Sequence, residues 1–194
     1  MQKEATIKNG EYVGEKITYF HNGKIYQIDS MSQPCRMDVN ACDGVLIRFN
    51  ENGTISQHFT IKNGYFNGVS QHYDGHGKLV KEYYLLNDSI KDGMYKEFYD
   101  NGKTSRLASY RNDTLIGYEY FFKENGDTIK YYNHYKGDLD FPYKKWLDNG
   151  HILLGNYGDK TSKYVVWKWY DKTGKEIKTK ILRPSKIGFV TPEE

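Results

Sequence analysis

Phe98-Tyr99-Asp100-Asn101-Gly102-Lys103 is the stretch whose reading decides the fold. An aromatic residue of strand-forming type runs straight into Asn-Gly, the dipeptide of tight hairpin turns. The phrase recurs along the chain. With its glycine as reference, Gly23, Gly53, Gly77, Gly102, Gly126, Gly150 and Gly174 follow at spacings of 30, 24, 25, 24, 24 and 24 residues. A fixed period of this kind marks a repeat architecture. Four positions before each glycine stand Tyr19, Phe49, Tyr73, Phe98, Phe122, Trp146 and Tyr170, every one aromatic. Nine positions before it stand Gly14, Gly44, Gly68, Gly93 and Gly117, a series that lapses to Phe141 and Val165. A second turn falls about eleven residues after the first, at Asn63-Gly64, Asn87-Asp88, Asn112-Asp113, Lys136-Gly137 and Asp159-Lys160.

Two turns per period leave two runs of strand length, too short for independent helices. Each unit is therefore a hairpin, and the second turn joins neighbours into an antiparallel meander. The predicted fold is all-β: an elongated meander of about seven stacked β-hairpins with a period of about 24 residues. Side chains alternate faces along a strand. On the first strand the aromatic column shares its face with Val45, Val69, Met94, Tyr118 and Val166. On the second, Phe59, Tyr83, Ala108 and Tyr132 align, followed by Ile61, Leu85, Tyr110 and Leu182. These columns are expected to be the interior. Residues 1–182 read as one repeat domain, with an inserted loop at 30–42 and a tail at 183–194 that leaves the repeat at Arg183-Pro184. Ile187, Phe189 and Val190 in that tail are candidates to cap the last hairpin.

The aromatic-x-x-Asn-Gly-Lys core, preceded by glycine and followed by a strand and a second turn, resembles the bacterial variant of the MORN repeat. The likeness covers roughly residues 9–182, most clearly the units at Gly77, Gly102 and Gly126. The first unit carries an insertion, and the last two lose the leading glycine. The resemblance implies a stack of hairpins acting as a scaffold for proteins or acidic lipids. It supplies no catalytic residue, because the family motif contains none.

Composition limits the chemistry. Nineteen tyrosines and nine phenylalanines favour half-buried strand faces. A net charge of +3 is too small to point to nucleic acid. No apolar run approaches a membrane span, and nothing after Met1 resembles a signal peptide. The inserted loop holds both cysteines, Cys35 and Cys42, for which a local disulfide, two free thiols and a metal pair remain open. A disulfide would favour a periplasmic or extracellular location over the cytoplasm. His72, Asp74 and His76 cluster at one hairpin tip, where polar residues are ordinary and no metal is expected.

Two rows are candidate binding features. Tyr95, Tyr99, Phe121, Tyr143, Trp167 and Trp169 have the parity opposite to the aromatic column, where the early units carry mostly polar residues. An exposed aromatic surface there would mark an interaction site. Rolling of the sheet or coverage by the tail would instead bury those rings. Lys81, Arg106, Lys130 and Lys178 recur four positions after the reference glycine, interrupted by Leu154. They suit either a phosphate-bearing surface or a solvated face that discourages aggregation. No nucleophile–base pair, phosphate loop or placed carboxylate pair is present, and no catalytic residue, metal or cofactor is expected. The expected function is non-catalytic: a scaffold for a protein or peptide partner, through the late aromatic face or a sheet edge. The alternatives are a carbohydrate or cell-envelope module, or an acidic-lipid binder through the lysine row.

Overall fold

The computed structural model describes residues 1–32, 34–36, 42–88, 90–157 and 164–183, and within them contains strands and turns but no helix. The strands are β1 (Lys3–Lys8), β2 (Glu11–Tyr19), β3 (Ile25–Met31), β4 (Cys35–Arg36), β5 (Gly44–Phe49), β6 (Ile55–Lys62), β7 (Tyr65–Tyr73) and β8 (Leu79–Leu86). They continue as β9 (Ile90–Phe98), β10 (Thr104–Arg111), β11 (Thr114–Phe122), β12 (Thr128–Tyr135), β13 (Asp138–Trp146), β14 (Ile152–Tyr157), β15 (Val165–Tyr170) and β16 (Glu176–Leu182). All but β4 follow one another in chain order in a single open antiparallel meander. The two-residue β4, in the inserted loop, pairs with Glu11 and Tyr12 of β2. The chain divides into two compact units, 1–103 with 110–113, and 104–109 with 114–194. The expected turn at Asp159-Lys160 and the expected tail cap lie outside the described residues.

The two turns of each period differ in build. At the reference glycine, as in Tyr99–Lys103, the Gly102 amide donates to the Tyr99 carbonyl and the Tyr99 amide to the Lys103 carbonyl, both at 2.8 Å. Gly102 takes φ 79°, so the turn is a three-residue hairpin loop that closes on a left-handed glycine. The second turns are two-residue loops with positive φ at both positions: Asn9-Gly10, Asn63-Gly64, Asn87-Asp88, Asn112-Asp113 and Lys136-Gly137. That is the type I′ hairpin, whose twist matches that of the strands.

A bulge decides which face is inside. Phe121 pairs with Lys130 but Phe122 pairs with Thr128, leaving Ile129 as an extra residue. The same shift leaves Tyr26, Ser56, Val80 and Ile177 unpaired, always three residues after the reference glycine. One extra residue swaps the facing of everything beyond it on that strand. The second-strand columns are interior as expected: Phe59 and Leu85 are 6% exposed and Ala108 1%. Their first-strand partners are the opposite set from the one expected. Val69, Met94 and Tyr118 are exposed, while Leu46, Ser70, Tyr95, Glu119, Tyr143 and Trp167 are buried. An unbroken ladder would have reversed this assignment.

Within 1–103, Leu46, Phe59 and Leu85 form the buried core, with Ile61, Phe66 and Tyr83 against them. Within 114–182 the core is Phe141, Tyr143, Leu153, Val165, Trp167 and Trp169, with Tyr132, Leu147 and Leu182 packed on it. Here the unit at Gly150 departs from the rest. Its strands pair evenly, Trp146 with Ile152 and Lys145 with Leu153, without the extra residue. Leu153 therefore takes the inner position that a cation holds elsewhere, and Leu154 turns outward between Lys144 and Lys168.

Candidate functional site

The two rows singled out in the sequence share the inner face. Tyr95, Tyr143, Trp167 and Trp169 are buried at 5, 3, 1 and 5% exposure, so the expected exposed surface at these rings is core instead. Phe121 and Tyr99 are half-buried, Tyr99 in the hairpin turn. The basic row lies over the rings. Lys81 sits 5.8 Å from the Tyr95 centroid, Lys130 4.8 Å from Phe121 and 5.1 Å from Tyr132, and Lys178 4.4 Å from Trp169. Their stems cover apolar surface and their charges meet ring faces. Arg106 places Nε and Nη2 each 2.6 Å from Glu119 Oε1, and His134 Nε2 lies 2.8 Å from Glu119 Oε2. The buried carboxylate is thus paired on both oxygens, as burial of a charge requires.

In the unit 1–103 the inner face carries a hydrogen-bonded ladder that sequence reading missed. Gln27 Nε2 donates to Asp29 at 2.8 Å, and Lys16 pairs with the same carboxylate at 3.4 Å. Arg48 donates to Gln27 Oε1 at 3.0 Å and to Gln57 Oε1 at 2.9 Å. With its oxygen so engaged, Gln57 presents Nε2 to His72 Nδ1 at 3.2 Å. The network therefore assigns the proton to His72 Nε2, which reaches the Tyr83 hydroxyl at 2.8 Å. Burial lowers the His72 pKa, and the charges of Lys81 and Arg48 lower it further. The neutral ring stacks on Tyr83 with centroids 5.3 Å apart. His72 and Asp74 do not act together: Asp74 Oδ1 accepts from the His76 and Lys78 amides in the turn. Among the described residues no group of three His, Cys, Asp or Glu side chains is placed to hold a metal.

The outer face holds the accessible apolar groups. In the unit 1–103, Val69, Tyr84 and Met94 are 43, 41 and 53% exposed and line one cleft of ≈ 260 Å³ with Glu82, Asp92 and Lys96. In the unit 114–182, Tyr118, Tyr120, Phe122, Tyr131 and Trp146 interlock across β11, β12 and β13. Centroid separations run from 5.4 Å for Tyr118–Tyr131 to 6.3 Å for Tyr131–Trp146. Burial raises the Tyr131 pKa, helped by Tyr118 and Tyr120. Lys144 caps the Trp146 ring at 4.3 Å. Val69, Met94, Tyr118, Phe122 and Trp146 were visible in the sequence as a column, but its parity assigned them to the interior.

Two further features are edges. All six residues of β1 are exposed, as are the first six of β16, and each pairs on one side only among the described residues. Cys42 is disulfide-bonded; the side chain of Cys35, its expected partner, lies outside the described residues. Among the described residues no helix is long and apolar enough to cross a membrane, which leaves open spanning by strands. No protein-family model and no curated protein matches the chain.

Proposed function

We propose that the chain is a non-catalytic repeat scaffold that binds a protein or peptide partner on its outer face. The observation that carries this reading is the position eight residues before the reference glycine. It stays apolar or aromatic in Val69, Met94 and Tyr118 although it stands in solvent. Isolated exposed apolar residues need no explanation, but within 1–103 Val69 and Met94 share one cleft with Tyr84 and charged groups, and an apolar patch rimmed by polar groups suits a docking surface. The likeness to the bacterial MORN variant supports the same reading. The lysine row gives less support to an acidic-lipid surface, because Lys81 and Lys130 already lie over inner-face rings.

A photo-crosslinking side chain placed at Met94 or at Tyr118 is expected to trap a polypeptide in the native host, and one at the hairpin tip His76 is not. Crosslinks confined to His76 would overturn the reading. A carbohydrate is the second reading, favoured by the four hydroxyl- or indole-bearing rings Tyr118, Tyr120, Tyr131 and Trp146. Glycan binding abolished by Trp146→Leu, with no polypeptide crosslinked, would select it.

A further inference from the structure

The cleft on the outer face of the unit 1–103 has a charge imbalance that identifies its occupant. Its floor is Val69, Tyr84 and Met94, with Val69 directly opposite Tyr84 in the ladder. Gly93 lines it at φ 105°, a backbone conformation that side-chain-bearing residues rarely adopt. Three charged groups edge it, and two of them are engaged. Glu82 accepts from Gln71 Nε2 at 2.9 Å and pairs with Lys96 at 3.7 Å. The third, Asp92, makes no hydrogen bond or ion pair among the described residues, although it lines the cleft. An unpaired carboxylate beside three exposed apolar side chains is complementary to a cation carried next to an apolar group.

We propose that this cleft binds a peptide segment presenting an arginine beside an aliphatic side chain. The proposal rests on the outer-face reading and adds the chemistry of the partner. The guanidinium pairs with the Asp92 carboxylate and lies against the Tyr84 ring, which an ammonium does less well because it is compact and strongly hydrated. The aliphatic group fills the floor between Val69 and Met94, where the thioether adapts to its shape.

The test titrates the full chain with a short fluorescein-labelled peptide carrying Leu and Arg in a Gly/Ser background, against matched peptides with Arg→Glu or Leu→Ser. The Leu–Arg peptide is expected to bind, and to weaken as salt rises through the range where exposed charges are screened. Asp92→Lys should lower its affinity about tenfold or more, since attraction becomes like-charge repulsion, and should let the Leu–Glu peptide bind instead. Asp92→Asn, which removes no hydrogen bond or ion pair among the described residues, should give a smaller loss in the same direction. Met94→Ser should weaken the Leu–Arg peptide. Equal binding of the Leu–Arg peptide to the native chain and to Asp92→Lys overturns the proposal, as does preference of the native chain for the Leu–Glu peptide. In either case a loss on Met94→Ser leaves the outer-face reading standing. Binding of neither peptide, together with no polypeptide crosslinked at Met94, removes both.

Discussion

His72 shows how one side chain ties a polar inner face to pH. Its Nδ1 must accept from Gln57 Nε2, because Gln57 Oε1 is held by Arg48. Protonation would put a donor against a donor, and flipping the Gln57 amide would only move that conflict to Arg48. The folded state thus keeps the ring neutral below its ordinary range, while the unfolded chain takes up a proton near about pH 6.5. Between those two values the unfolded state binds more protons, so the contribution to stability is complete above about 6.5 and is lost as pH falls. Thermal melts between neutral and mildly acidic pH should show this decline, and His72→Gln should flatten it; an unchanged slope would exclude His72 as its source. Gly155 is a second residue-scale constraint. A Cβ there would meet Trp167 at 2.7 Å and Phe141 at 3.0 Å, so Gly155→Ala should cost about 1–3 kcal/mol in chemical denaturation.

At the scale of the element, the hairpins obey local chemistry closely enough to be read from the chain. Asn-Gly and Asn-Asp placed the second turns, and glycine with aromatic spacing placed the first. One second turn uses a costly residue: Lys136 sits at φ 53°, where asparagine is better tolerated. Lys136→Asn is expected to stabilise the chain by about 0.5–1 kcal/mol, as a rise in the denaturation midpoint at unchanged slope. The bulges were not legible. The extra residue is Tyr26, Ser56, Val80, Ile129 or Ile177, types that share no composition and need no special φ. Nothing in their chemistry distinguishes them from paired strand residues. Missing them left the second-strand core correctly placed and turned the first-strand core outward. The inner ladder from Asp29 to Tyr83 was hidden for the same reason, since the polar residues of the early units have the parity that reads as facing outward.

For the whole molecule, each strand contributes one set of side chains to an inner face that neighbours complete and one set to an outer face that they leave in water. Unit by unit the inner face changes character, from hydrogen-bonded amides and charges in 1–103 to rings and cations in 114–182. The meander leaves β1 and β16 with one unpaired side each among the described residues. Lys178 and Lys180 alternate along β16, and charged edges discourage pairing with another chain. The double change Lys178→Val with Lys180→Val should promote self-association, visible by light scattering, and a monodisperse variant would remove that role from the lysines. The central claim is that bulges hand Trp167 and its column to the inside and Met94 and its column to solvent. Hydroxyl-radical footprinting of the native chain tests it most directly. Met94, Tyr84 and Tyr118 should be modified rapidly while Tyr95, Tyr143 and Trp167 are protected; rapid modification of the second group with protection of the first would contradict it.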